Sequence, residues 1–485
     1  MTRTDVSSHS RASDWSSVHA VVAGVGVAGF AAADQLLHLG AHVTVIDGAD
    51  GPRQRERADI LEVVGATIRL GDGDTLPDAA DAADAADVLI VSPGLPPRAA
   101  VILAAHEAGV PVWGELELAW RLRGPDPAPW LVVTGTNGKT TTTLMLESML
   151  RAAGLRTAAV GNIGVSLVDA VMDPEGFDVL AVEVGAPQLP FLLTASPLAS
   201  VCLNLAPDHV DLFGSFEAYR AAKTRIYANT QVAAVYNVAD PETERMVAEA
   251  DVVEGCRAIG FTLGTPGPSM LGVVDDLLVD RAFVENRRDS AQELASVHDV
   301  RPFAPHNVAN ALAAAALARA FGVPPEAVGE GLRAFEPAGH RIADVAEVDG
   351  VRWVDDSKAT NCHAAETSLL AYDSVVWVAG GLAKGQEFDD LVVRARDHIR
   401  AVVLLGVDRE RIREALVRHA PDVPVVEVPR TDTGAMDDVV DAAAGLARPG
   451  DTVLLAPGCA SWDMFRDYAE RGDAFADAVR RRAQP

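Results

Sequence analysis

The chain has 485 residues, which at roughly 150 residues per domain points to about three domains. Its 41 Lys and Arg against 69 Asp and Glu give a formal net charge of −28. That excludes nucleic-acid binding through a general basic field, which needs cations to displace counterions, but leaves room for a local phosphate pocket. A hydrophobic share of 49% and a charged share of 23% exclude global disorder.

The opening stretch, MTRTDVSSHSRASDWSSVH, is polar and has no apolar core of a signal peptide; its first ~15 residues are expected to be disordered. An apolar run, Val18 to Ala23, predicts a strand. It leads into Gly24-x-Gly26-x-x-Gly29, a helical stretch from Ala31 to Leu39, and a second strand from His42 to Ile46 that ends at Asp47. Alone, this glycine pattern suggests a dinucleotide site and an NAD- or FAD-dependent enzyme. The same geometry asks only for a pyrophosphate at a helix N-terminus, which UDP compounds also carry, and glycines that merely permit tight packing are the plainer alternative. The Asp-Ala-Ala repeat from Asp78 to Asp87 predicts a solvated helix face. Another strand, Val88 to Val91, ends in Ser92-Pro93-Gly94. The three prolines in Gly124 to Pro129 exclude a helix interior and mark a linker.

After the linker comes WLVVTGTNGKTTTT, Trp130 to Thr143: a strand, a glycine-containing turn, and a helix over Thr141 to Ala153 stopped by Gly154. A helix N-terminus offers unpaired N–H groups and a positive dipole end to anions. Gly135 and Gly138 let the backbone wrap phosphates, Lys139 reaches their outer oxygens, and the Thr140 hydroxyl suits Mg²⁺. The strict phosphate-loop pattern asks for glycine at the position of Val133, so this loop is a variant. The next strand, Phe177 to Val184, carries Glu183 at its carboxyl end, where ligands bind in such sheets and where a carboxylate suits Mg²⁺. A strand from Ser200 to Leu205 leads into Asp208-His209-Val210-Asp211; alone, His209 is as readily a capping or packing residue. The Ala-rich stretch Ala309 to Phe321, broken by Asn310 and Arg319, predicts a core helix, and no run of 18 apolar residues marks a membrane span. A helix over Glu326 to Ala334 precedes a boundary at Glu336-Pro337-Ala338-Gly339. Strands follow at Val375 to Ala379, Ala401 to Leu405 and Thr452 to Ala456. The four cysteines, Cys202, Cys256, Cys362 and Cys459, lack metal-ligand spacing and predict reduced thiols in a cytoplasm. The rhythm throughout is α/β, with domains expected over residues 1–126, 127–337 and 338–485.

Nine segments then occur in one order: TGTNGKTTT, Gly161-Asn162-Ile163-Gly164, LNLAPDHVD, YRAAKTRIY, APHNVANALAA, GHRI, VDDSKATN, GGLAKG and LLAPGCAS. Over roughly residues 18 to 480 this resembles the bacterial Mur ligase family. The resemblance implies a Rossmann-like UDP-binding domain, a central P-loop ATPase domain and a C-terminal Rossmann-like domain, working as a cytoplasmic monomer. It implies ATP-dependent addition of D-glutamate to UDP-N-acetylmuramoyl-L-alanine through an acyl phosphate, in peptidoglycan precursor synthesis, and no hydride transfer. A paralogue with another substrate and a catalytically weak binding homologue are the alternatives.

Carried over by position, the UDP substrate would meet Gly26, Val27, Ala28, Asp47, Ser92, Pro93, Gly94, Asn162 and Gln188. ATP would meet Gly135, Thr136, Asn137, Gly138, Lys139, Thr140, Thr141, Asn310, Arg341 and Asp356. Thr140, Glu183, His209 and Lys223, the last as a carbamate, would hold two Mg²⁺ ions. Ser357, Thr360, Lys384, Ser461 and Phe465 would take the amino acid, with Lys139, His209, Lys223 and Lys358 catalytic. A hinge near Pro337 would close the last domain. The resemblance departs in three places. Gly185-Ala186-Pro187 replaces two hydroxyls and an aromatic, Gly458 stands for Ala, and Trp462 stands for Leu or Met. Lost hydroxyls predict slower ligation, and the indole predicts a narrower amino-acid pocket.

Overall fold

The computed structural model describes residues 4–71, 86–208, 210–337 and 339–483. It forms two compact units, the first ending at Phe335 and the second beginning at Glu336.

The first unit holds two sheets. In one, β1 (His19–Ala23), β2 (His42–Asp47), β3 (Thr67–Leu70), β4 (Val88–Val91) and β5 (Val112–Gly114) lie in the order β3-β2-β1-β4-β5, all parallel. The order reverses between β1 and β4, so their carboxyl ends open a crevice, the usual ligand position in such sheets. The helix Val27–His38 starts there. The polar opening stretch departs from the expected disorder. Val6 and Trp15 are buried in the core, the Trp15 indole N–H donates to the Ser10 carbonyl at 3.0 Å, and the Thr4 amide donates to Asp87 at 2.6 Å. Two well-spaced apolar anchors suffice to dock a segment whose average composition looks unstructured. The Asp-Ala-Ala repeat falls almost wholly outside the described residues.

The other sheet has nine strands in the order β14-β13-β12-β11-β10-β9-β6-β8-β7. They are β6 (Trp130–Thr134), β7 (Thr157–Gly161), β8 (Val179–Glu183), β9 (Ala199–Cys202), β10 (Ala233–Asn237), β11 (Arg257–Phe261), β12 (Met270–Val274), β13 (Leu277–Asp280) and β14 (Gln292–Ser296). β6 runs parallel between β8 and β9 and every residue of WLVVT is buried, as expected of a strand covered on both faces. The helix Pro305–Phe321 begins four residues before the Ala-rich run, because Pro305 takes the first helical position, where its missing N–H costs nothing. Its alanines pack in the core beside the helix Lys139–Ala152.

In the second unit, β15 (Ala343–Val348), β16 (Val351–Asp355), β17 (Val375–Gly380), β18 (Ile399–Leu405), β19 (Val425–Glu427) and β20 (Thr452–Leu455) lie in the order β15-β16-β20-β17-β18-β19. Among the described strands of this sheet, β15 and β16 pair antiparallel and the other pairs are parallel.

Candidate active site

β6 ends at Thr134 and the chain turns through Gly135–Gly138 into the helix that begins at Lys139. Gly138 has φ +82°, and a Cβ there would lie 2.5 Å from Asn310 Oδ1, so glycine is required both by the backbone and by the close approach of Asn310. The Lys139 ammonium donates to the Gly135 and Thr136 carbonyls at 2.9 and 2.8 Å, which holds it over the loop. The loop is latched from behind. The Asn137 amide donates to Asn204 Oδ1 at 2.9 Å and Asn204 Nδ2 donates to the Asn137 carbonyl at 3.2 Å. Thr136 faces inward, its hydroxyl 3.0 Å from the Tyr219 hydroxyl. Thr140 and Thr141 open the helix and are half-buried.

Beside the loop, β8 brings Glu183 and the helix Phe216–Thr224 brings Lys223, each 1% exposed. The Lys223 amine donates to Thr134 Oγ1 at 3.0 Å and to the Gly135 carbonyl at 2.6 Å. Burial, reinforced by the Lys139 cation, pushes its pKa down to about 7, so near neutral pH much of it is an uncharged, nucleophilic amine. Glu183 Oε1 accepts from Asn162 Nδ2 at 2.8 Å, whereas Oε2 is buried with no hydrogen-bond partner. A buried carboxylate oxygen left unmatched is costly and fits a hard cation, which takes oxygen donors. Among the described residues no three His, Cys, Asp or Glu side chains cluster as a metal site; His209 lies outside them. Gln188 Oε1 accepts from the Gly185 amide at 2.8 Å. A Cβ on Gly185 would lie 3.1 Å from Asn162 Oδ1 and 3.3 Å from Gln188 Oε1, so the glycine gives both amides room, Asn162 on Glu183 and Gln188 on the Gly185 amide.

At the first sheet's crevice, Gly24 has φ +95°, and a Cβ on Gly29 would meet the Gly24 carbonyl at 1.8 Å. Gly26 caps the helix whose first residues are Val27 and Ala28. Asp47 accepts from the Val25 amide at 2.7 Å and the Ala49 amide at 2.8 Å, so its carboxylate shapes the turn. Ser92 stands beside Gly24 and Gly26, and Pro93 and Gly94 continue its turn.

In the second unit several predicted residues are buried and held by neighbours of the same unit. Ser357 is fully buried; its hydroxyl donates to the Tyr468 carbonyl at 2.7 Å and accepts from Arg471 Nε at 2.9 Å. Asp356 is pushed up to about 7 by burial, opposed by the Ser368 hydroxyl and the Arg341 charge. Ser461 and Phe465 are also buried. Lys358 lies 3.8 Å over the Tyr468 ring, with Thr360 half-buried just beyond. Lys384 lies 4.0 Å over Trp462, and Trp462 is 64% exposed. The indole is thus a platform for an ammonium, where the sequence predicted a narrowed pocket. Gly458 has φ +65°, a conformation glycine tolerates better than the alanine expected there.

Three residues escaped sequence reasoning although they lie inside the motifs. Asn204 and Tyr219 fasten the phosphate loop, and Asn307 Oδ1 accepts from Asn310 Nδ2 at 3.2 Å, orienting its amide. Only their presence inside LNLAPDHVD, YRAAKTRIY and APHNVANALAA signals them.

Family models match the chain in three successive stretches: a Mur ligase MurD-like N-terminal domain over 18–114, a Mur ligase middle domain over 133–318 and a Mur ligase glutamate ligase domain over 340–459. A UDP-N-acetylmuramoylalanine–D-glutamate ligase from Streptomyces avermitilis is 62% identical over 96% of this chain and 99% of its own. The solved UDP-N-acetylmuramate-alanine ligase of Thermotoga maritima aligns with a TM-score of 0.56 at 19% identity, covering 96% of this chain and 100% of that one. The FolC protein of E. coli, solved with ADP, aligns with a TM-score of 0.52 at 19% identity, over 73% and 90%; these two likenesses speak to fold.

Proposed function

The chain belongs to the Mur ligase family, and from that premise we infer that it adds D-glutamate to UDP-N-acetylmuramoyl-L-alanine at the expense of ATP, in peptidoglycan precursor synthesis. The observation that carries this beyond the family is the pairing of a phosphate loop with a cluster made for anion chemistry: Lys139 over the loop, Lys223 buried behind it, and the unmatched Glu183 oxygen beside it.

No protein nucleophile is needed. The substrate's carboxylate oxygen attacks the γ-phosphorus, the bond to the bridging oxygen breaks, and ADP leaves. The D-glutamate amine then attacks the acyl carbon; as the carbon–oxygen bond to phosphate breaks, inorganic phosphate departs and the nitrogen loses a proton. The protein contributes position and charge neutralisation. Lys139 and the helix N-terminus face the phosphates. Asn162 and Gln188 hold the muramoyl end, and the first crevice holds UDP. Arg341, Asp356 and Asn310 serve ATP, while Lys358, Thr360 and Lys384 serve the amino acid. Thr140, Glu183, His209 and Lys223 as a carbamate are the residues that would hold Mg²⁺, which screens the phosphate charge when bound. Carbamylation suits Lys223, because only a free amine adds CO₂, releasing a proton, and the product sets an anion beside the Lys139 cation.

We place the enzyme in the cytoplasm, where ATP is available, as a monomer; among the described residues no helix is long and apolar enough to cross a membrane. Phosphate release with UDP-N-acetylmuramoyl-L-alanine against a panel of D- and L-amino acids tests the assignment. D-glutamate is expected to be required, and turnover with another amino acid but not with D-glutamate would overturn it.

A further inference from the structure

The helix Glu115–Arg121, which follows β5 directly, carries two carboxylates in its first turn that are almost wholly withdrawn from water, Glu115 and Glu117. Glutamate is rarely buried unless its oxygens are matched, so the partners say what the burial is for. Glu117 Oε2 accepts from the Leu193 and Thr194 amides at 2.7 and 2.9 Å. Its Oε1 accepts from the Thr194 hydroxyl at 2.6 Å and from Arg121 Nε at 2.8 Å. Glu115 Oε1 alone accepts from both the Ser166 hydroxyl and the Val168 amide, each at 2.7 Å. It thereby does for the helix Leu167–Met172 what the N-cap Ser166 side chain leaves undone.

These partners terminate two loops. Ser166 ends the segment that begins at Gly161 and carries Asn162, whose amide group holds Glu183. Leu193 and Thr194 end the segment that begins at Gly185 and carries Gln188, closed on the Gly185 amide. Both fasteners therefore start from the end of the first sheet and finish on the two loops that flank Glu183. A third link runs alongside: Gln35, on the helix that starts at the glycine-rich turn, donates to Asp169 at 3.0 Å.

We propose that Glu115 and Glu117 are positioning residues for the muramoyl substrate, fixing the Asn162 and Gln188 loops against the sheet that receives its nucleotide end. This rests on the ligase assignment above, in which one substrate spans both places. Apolar packing would hold the domains together equally well. Hydrogen bonds to specific amides additionally fix where each loop ends, and a substrate gripped at both ends is sensitive to that span.

The atoms dictate an unusual pattern of variants. Glu117→Gln must turn an N–H toward donors in either orientation, so KM for UDP-N-acetylmuramoyl-L-alanine is expected to rise about tenfold or more, with KM for ATP within about twofold. Glu115→Gln keeps the one oxygen that does the accepting and should stay within about threefold of wild type, while Glu115→Ala should resemble Glu117→Gln. Should Glu117→Gln fail to fold, Thr194→Val and Ser166→Ala, which each remove one donor hydroxyl, carry the same test with a smaller rise. The proposal is overturned if folded variants keep the wild-type KM for the muramoyl substrate, or if both substrates' KM values rise together. Wild-type phosphate release with D-glutamate runs in the same plates. Its absence would defeat the ligase assignment, whereas its presence with unshifted variants defeats only the positioning role.

Discussion

Lys223 offers the sharpest test of the central cluster. In water a lysine at pH 7.5 is about one part in a thousand free amine. With its pKa held down to about 7 by burial and the Lys139 charge, about three-quarters of Lys223 is free amine at that pH, a gain of several hundredfold in the form that adds CO₂. The sign follows: free amine accumulates as pH rises through 7, and its addition of CO₂ releases a further proton, so at fixed dissolved CO₂ and Mg²⁺ the ratio of carbamate to unmodified Lys223 falls about a thousandfold from pH 8 to pH 6 and turnover should fall with it. Stability of the CO₂-free protein should instead rise with pH between about 7 and 10.5, because the unfolded lysine then binds the proton that the folded one has released. Lys223→Ala removes the amine and should abolish phosphate release, with partial recovery in high acetate, which supplies a carboxylate to the space. The modification itself is read by ¹³C NMR after equilibration with labelled bicarbonate; Lys223→Ala lacks the signal. Unimpaired Mg²⁺-dependent turnover of Lys223→Ala, or full wild-type turnover with no label on lysine, would refute the reasoning.

Lys139→Ala should lower kcat by on the order of a thousandfold with unchanged circular dichroism, and near-wild-type turnover would disprove the phosphate-loop role. Trp462→Leu removes the platform 4.0 Å beneath Lys384 and should raise KM for D-glutamate about two- to fivefold, leaving KM for ATP unmoved; an unchanged KM would show that the pairing does not serve the amino acid. Gly185→Ser places a Cβ 3.1 Å from Asn162 Oδ1 and 3.3 Å from Gln188 Oε1, so kcat/KM for the muramoyl substrate should fall about three- to tenfold. An increase would instead bear out the sequence-based expectation that the missing hydroxyls slow the enzyme.

What the sequence made legible were the parts defined by local chemistry. The run WLVVT and the turn after it predict a buried strand feeding a phosphate loop, and β6, Gly138 and Lys139 stand accordingly. Glu183 was recognisable because a carboxylate ending a parallel strand sits where ligands sit. What stayed hidden depends on partners distant in sequence. Asp47 reads as a ligand residue from its spacing, yet its oxygens are held by Val25 and Ala49 amides. Ser357 reads as polar and available, yet Arg471, more than a hundred residues away, holds its hydroxyl. Trp15 and Val6 sit in a stretch whose average polarity conceals two decisive anchors. Gly185 reads as a lost hydroxyl, but only the positions of Asn162 and Gln188 show that a side chain there has little room. Glu115 and Glu117 give no motif at all, because two glutamates opening a helix look like ordinary dipole partners until their acceptors are known. Residues that touch small ligands advertise themselves by type and spacing, since the ligand's chemistry is fixed. Residues that set the distance between two ligand-binding loops do not, since any acceptor of the right reach would serve, and only the fold shows which one was used.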